Sequence, residues 1–232
     1  RSTAFLKGIQ LMLSRFIQKL KAWYLARQSV KRRWSEWDYL VLDIETSGLN
    51  AKQDHIVSVG WVCIQNGVIE LDTARHIVLD NAQIGDNVGI HMITDSDVQQ
   101  HGKRQESVLR YLRHLLRNRV LVVHHAPMEL GFLKQSWLEH ALPTFSLSWL
   151  DTLAIERSKA NRAQQPIQDG GFRLDACRER YGLPDYQGHD ALTDALATAE
   201  LLLAQIAYQG KDCRLYDLNQ LGGGRTRLVP RS

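Results

Sequence analysis

Cysteine is scarce in this 232-residue chain, and what there is cannot pair into a pattern. Cys63, Cys177 and Cys213 are odd in number, far apart and without a C-x-x-C spacing. That argues against a disulfide framework and a structural zinc site, and it places the chain in a reducing cytosol. No apolar run approaches the roughly 20 residues needed to span a bilayer. Residues 4–17 are broken by Lys7 and Arg15, which argues against a signal-peptide core. There is no internal repeat, no glycine-rich phosphate loop and no low-complexity tract. The first 35 residues contain no Asp or Glu at all, against nine Lys and Arg. The rest carries 20 basic and 25 acidic groups, formally −5, so the net charge of +4 comes from the N-terminal arm. Such an arm suits nucleic acid, an anionic membrane surface or an acidic partner, and a helix docked on the domain is the simpler alternative. The chain starts at Arg1 and closes on GGGRTRLVPRS, whose LVPR resembles a protease-cleavage tag. Roughly the last ten residues are therefore expected to stand outside the fold.

The hydrophobic pattern divides what is present. Leu6, Ile9, Leu13, Phe16, Ile17, Leu20 and Tyr24 repeat at three and four, which predicts a basic amphipathic helix over about residues 4–25. A linker, KRRWSEWDY (31–39), offers Trp34 and Trp37 for stacking. Strands are then predicted at 39–43, 56–64 and 68–79, with Asn66-Gly67 as a hairpin turn between the last two. Thr94, Asp95 and Asp97 read as a helix start, followed by a helix over about 104–118 and a short buried strand at 120–123. A helix from Pro127 to about Ala141, a strand at 147–150, a helix after Asp151, a polar loop over 158–171 and helices near 173–181 and 191–207 complete the pattern. Three meander strands followed by alternating helices and strands predict an α/β fold with a mixed sheet flanked by helices. The expected organisation is an arm (1–37), a domain (38–210) and a C-terminal tail (211–232).

Four carboxylates and one histidine carry the chemistry. Asp43 and Glu45 end the apolar run YLVLDIETSGL (39–49), and residues two apart on a strand face the same way. They meet Thr46-Ser47-Gly48, a turn where backbone can approach a ligand. Glu129 falls in the first turn of its predicted helix, where the macrodipole favours an anion. His189 and Asp194 are five apart, about 140° around a helix. They converge if His189 precedes the helix, Asp190 caps it and Asp194 projects from its second turn. Taken singly, each of these residues is as readily an ordinary surface or helix-end group. Brought together, they would cage two hard divalent cations with a base beside them.

Three segments carry a family resemblance. DIETSGL (43–49) resembles the first motif of the DnaQ-like, DEDDh 3′–5′ exonucleases, D-x-E-T-T-G-L. HHAPMELGFL (124–133) resembles the second, H-N-A-x-F-D-x-x-F-L, and HDALTDA (189–195) the third, H-x-A-x-x-D-A. HIVSVG (55–60), HMITD (91–95), LDTL (150–153) and LDACRERYGLP (174–184) are weaker echoes in the family's order. The resemblance covers about residues 38–208. It implies a ribonuclease H-like fold, a five-stranded mixed sheet with helices on both faces. It implies that Asp43, Glu45, Glu129 and Asp194 hold two Mg²⁺ or Mn²⁺ ions, that His189 deprotonates the attacking water, and that Thr46 and Leu49 contact the terminal nucleotide. The expected reaction releases nucleoside 5′-monophosphates from 3′ ends of single-stranded or frayed DNA, with a polymerase or other replication or repair partner. An RNA-trimming relative and a catalytically weakened binding module are the alternatives. Two departures matter: Glu129 stands where the family has Asp, displacing the carboxylate by roughly 1.3–1.5 Å, and Met128 replaces Phe. His125 also replaces the family's Asn.

Overall fold

The computed structural model describes residues 32–80, 103–167, 170–210 and 212–230. The expected arm helix and the helix start at Thr94 lie outside these residues. Of the arm, residues 32–37 are described and form a short 3₁₀ turn, Trp34–Glu36.

Among the described residues six strands form one mixed sheet, β1 (Asp38–Thr46), β2 (Ile56–Gln65), β3 (Val68–Val78), β4 (Arg119–Val123), β5 (Phe145–Asp151) and β6 (Gly223–Leu228), in the order β3-β2-β1-β4-β5-β6. The meander β1–β2–β3 is antiparallel, β1, β4 and β5 are parallel, and β6 returns antiparallel to β5. Asn66 and Gly67 both take positive φ (51° and 79°), as a two-residue hairpin turn of the expected kind requires.

The helices are α1 (Gln105–Leu115), α2 (Ala126–Glu139), α3 (Thr152–Arg162), α4 (Leu174–Glu179), α5 (Ala191–Gln209) and α6 (Leu215–Gly222). Strand alternation sorts the core into two layers. Leu40, Leu42 and Ile44 of β1 join Trp61, Leu121, Val123, Phe132 and Trp137 on the face covered by α1 and α2. Tyr39 and Val41 join Val62, Val120, Val122, Leu202 and Leu218 on the face covered by α5 and α6. Leu130, Phe132 and Leu133 are core, as their apolar character implies. Asp43 and Glu45 continue the second face beyond Val41, so they emerge beside the start of α5. The carboxyl ends of β1, β4 and β5 all open at that edge, where ligands of open α/β sheets collect.

Three expectations are corrected. The sheet has six strands rather than five, because residues 215–228 are no tail: Leu215, Leu218, Leu221 and Leu228 are buried, and β6 pairs with β5 from Phe145↔Leu228 to Leu150↔Gly223. The glycines of this expected tail are places of close packing. A Cβ on Gly222 would lie 2.5 Å from the Ile155 nitrogen, and one on Gly224 2.8 Å from the Trp149 ring. The polar loop starts later than 158, since α3 continues to Arg162. Finally, Trp34 and Trp37 pack against the second core layer, and Trp34 lies over the Gly67 turn, so neither ring is freely offered for stacking.

Candidate metal centre

Asp43 and Glu45 share a face of β1, where they pair across to Gly60 and Ser58 of β2. Gly60 has a specific reason to be glycine. A Cβ there would sit 2.1 Å from the Ala191 carbonyl carbon and 2.2 Å from the Leu192 nitrogen, so only glycine lets the first turn of α5 reach the strand. Asp190 caps that turn, accepting from Thr193 N at 2.9 Å. His76 of β3 ties Asp190 down from the other side, Nδ1 to Oδ2 at 3.1 Å. Thus fixed, α5 presents Asp194 toward β1. His189 precedes the cap with a left-handed φ of 73°, and its backbone N–H donates to Asp194 Oδ2 at 3.0 Å. Asp43, Glu45 and Asp194 each bring a carboxylate oxygen within 4.8 Å of the others.

The electrostatics of this cluster are hostile to its own charge. Asp43 is pushed well above the usual carboxylate range, by burial first and then by Glu129, Asp194 and Glu45. Burial likewise pushes Glu45 up to about 8, with Asp194 and Asp190 adding repulsion. Asp194 is raised by burial too, against the opposing hydrogen bonds from the Tyr186 hydroxyl and the His189 N–H. Carboxylates held together this way favour either a bound proton or a bound cation.

Glu129 sits in the first turn of α2, as expected, only 4% exposed. It is not one of the three clustered carboxylates, yet its charge is the largest carboxylate contribution to the shift of Asp43. Burial pushes Glu129 itself up to about 8, and its Oε2 is buried with no hydrogen-bond partner. Thr46 is buried, and its hydroxyl donates to the Gly48 carbonyl at 2.7 Å, so the side chain pins the turn. Leu49, at the tip of that turn, is 88% exposed. Asp43, Asp194 and the exposed His189 open onto a cleft of 880 Å³, walled opposite by His125, Met128, Arg157 and Phe172.

Several residues that hold this arrangement carried little signal in the sequence. Asp151, at the end of β5, is 3% exposed. It accepts from Leu153 N (2.9 Å) and Ala154 N (3.2 Å) of α3, and from His125 N (3.1 Å) and Ala126 N (2.9 Å) at the start of α2. One carboxylate thus fixes the turn that carries Glu129, including His125 with its strained φ of 110°. The sequence placed a helix after Asp151, but nothing announced its hold on the start of α2. His124 is held neutral, burial pushing it down to about 4. Its Nε2 donates to the Phe172 carbonyl at 3.0 Å, leaving Nδ1 to accept from the Thr152 hydroxyl at 2.7 Å. Tyr186, whose ring lies 4.9 Å from the Arg178 guanidinium, had no signal at all.

A mixed sheet of this order, with helices on both faces and carboxylates at the carboxyl end of its first strand, defines the ribonuclease H-like class. The structure superposes on cell-death related nuclease 4 with a TM-score of 0.62 at 17% identity, covering 75% of this chain and 65% of that one. It superposes on the nuclease domain of 3′hExo, a DEDDh family member bound to rAMP, with a TM-score of 0.61 at 16% identity, covering 79% and 98%. For E. coli exonuclease I in complex with a dA16 oligonucleotide the score is 0.58 at 18% identity, covering 78% and 42%. In sequence, PolC-type DNA polymerase III of Thermotoga petrophila is 28% identical over 169 residues, and that of Caldanaerobacter subterraneus 31% over 173 residues. These matches take in 71% and 74% of this chain but only 12% of either polymerase. The family model for the RNase T exonucleases matches residues 40–202, and the chain belongs to that family, the DnaQ-like 3′–5′ exonucleases. None of the described helices is long and apolar enough to cross a membrane.

Proposed function

We propose that this chain removes nucleotides from the 3′ ends of single-stranded or frayed DNA, releasing nucleoside 5′-monophosphates, with two divalent cations held by Asp43, Glu45, Asp194 and Glu129. The observation that carries the reading is the convergence of Asp43, Glu45 and Asp194 within 4.8 Å, on elements about 150 residues apart in sequence, at the mouth of an open cleft. The donors fit such ions. They are all oxygen, which favours Mg²⁺ or Mn²⁺ over softer metals. Burial, then repulsion between neighbouring carboxylates, raises their affinity for protons, a cost that a bound cation would offset, and the unpartnered Oε2 of Glu129 is a further oxygen ligand near Asp43. Bound there, two such ions would stabilise the entering and leaving oxygens of an in-line displacement.

The chain's own residues supply the rest. His189, exposed beside Asp194, takes the proton of the attacking water on its ring, as a positioned general base does. Its backbone N–H, bonded to Asp194, holds both in one frame. Thr46 keeps the turn closed, so that Leu49 offers its apolar side chain to the terminal nucleotide. His124, neutral and doubly bonded, supports the cleft and does not exchange protons with it.

DNA is favoured because the sequence relatives are named as DNA polymerases, which also supports a polymerase context for the chain. RNA is the second reading, supported by structural neighbours described with rAMP and with a histone mRNA stem-loop. The test is a digest of 3′- and 5′-end-labelled oligonucleotides, DNA and RNA in parallel, with Mg²⁺, Mn²⁺ or EDTA. Stepwise shortening from the 3′ end that disappears with EDTA and with Asp43→Ala supports the enzyme. No cleavage with either metal overturns it in favour of a binding module.

A further inference from the structure

A second cavity, of 550 Å³, lies around the C-terminal half of α3. Its floor is Glu156, only 4% exposed, whose carboxylate is fully engaged. Oε1 accepts from the Tyr181 hydroxyl (2.5 Å) and Gln205 Nε2 (3.0 Å), and Oε2 accepts from Arg180 Nε (3.3 Å). Lys159 Nζ stands 3.8 Å from Oε1 and is clasped between two rings, 4.5 Å from the Tyr181 centroid and 3.8 Å from that of Tyr208. Tyr208 is nonetheless 73% exposed. A buried anion so heavily partnered organises the cations and rings around it without neutralising the cavity as a whole.

The two cavities share a wall. Ile167 lines both, and the ring of Phe172, which lines the first, is approached by Arg157 of the first (5.4 Å) and by Arg180 of the second (6.0 Å). Apart from Asp43 and Asp194, the linings of the two carry five cations (Arg157, Lys159, Arg162, Arg173, Arg180) against two anions, Asp175 and Glu156. Among the described residues neither Arg157 nor Arg162 makes an ion pair. A cationic path interleaved with aromatic faces is how proteins grip single strands: phosphates follow the charge and bases stack on the rings.

We infer that the second cavity is an anchoring site for single-stranded polynucleotide, gripping the strand away from its 3′ end, with Arg162 on phosphate and the exposed ring of Tyr208 against a base. The inference rests on the nuclease reading for the strand's direction, but the grip itself does not depend on hydrolysis.

The test compares the wild type with the double variant Arg162→Ala/Tyr208→Ala, both positions being exposed and outside the metal centre. Binding of a fluorescent single-stranded oligonucleotide is followed by anisotropy in EDTA against salt. Hydrolysis is followed on the same oligonucleotide and on a nitrophenyl phosphodiester of thymidine, too short to reach the second cavity. The variant is expected to bind the oligonucleotide roughly ten-fold more weakly, with a salt slope shallower by about one phosphate. It should turn over the nitrophenyl ester like the wild type. Unchanged oligonucleotide affinity overturns the anchoring site, and so does an equal loss on both substrates, which would mark damage to the fold. If the wild type cleaves neither substrate yet binds the oligonucleotide through Arg162 and Tyr208, the nuclease reading falls and the anchoring site stands.

Discussion

Glu129→Gln in metal-free protein is the sharpest probe of the electrostatics around Asp43. Glu129 carries a folded-state pKa of about 8 against 4.5 for the ordinary side chain, chiefly because it is buried. The folded state therefore keeps a proton that the unfolded chain releases across this window. The stability from that proton is fully present below about pH 4.5 and is lost as pH rises toward about 8. Between about pH 5 and about pH 7 roughly two pH units of the shift are traversed, and each is worth about 1.4 kcal/mol, so this one group should cost the protein roughly 2–3 kcal/mol. Glutamine cannot titrate. Any penalty from its unpartnered amide is the same at every pH, so the difference in slope between the two proteins isolates the charge. Urea denaturation in EDTA across this range reads it directly. The wild type should lose more stability than Glu129→Gln as pH rises, by that roughly 2–3 kcal/mol, and saturating Mn²⁺ should flatten the wild-type slope. Identical slopes in EDTA would refute the claim that burial holds Glu129 protonated.

Three other outcomes test the parts separately. His189→Asn should lower kcat on a single-stranded oligonucleotide by roughly 100- to 10,000-fold, as loss of a positioned base does, with KM little changed. Asp151→Asn should lose roughly 2–4 kcal/mol in urea denaturation and lower activity as well, because one of its two acceptors becomes an amide donor facing backbone N–H groups at the start of α2 or α3. Gly60→Ala should destabilise by roughly 1–3 kcal/mol or more, since its methyl meets the backbone of Ala191 and Leu192 and must push α5 away from β1. Its Mn²⁺ affinity, read by isothermal titration, should fall with it, whereas an unchanged affinity would mean that the approach of α5 does not set the geometry of Asp194.

What the sequence revealed was local. Alternation placed Asp43 and Glu45 on one face of a strand, the pair Asn66-Gly67 marked a hairpin turn whose two residues take positive φ, and an Asp before a helical run marked the cap at Asp190. What it concealed were contacts between distant backbones. Gly222 to Gly224 fell into the expected tail because glycine is written the same way for freedom and for close approach. Asp151 stood before a predicted helix, but its hold on the turn before Glu129 depends on β4 and β5 lying side by side. Tyr186 reaches Asp194 from a segment with no periodicity to read. The site's composition was legible, whereas its supports depended on the assembled sheet.

The central claim is that Asp43, Glu45 and Asp194 exist to hold divalent cations. Anomalous diffraction from crystals soaked in Mn²⁺ tests it most directly. A peak within ligand distance of all three carboxylates, with a second peak toward Glu129 when a 3′ nucleotide is present, is the predicted result. Crystals that bind Mn²⁺ elsewhere, or that leave these carboxylates without density at saturating metal, would contradict it.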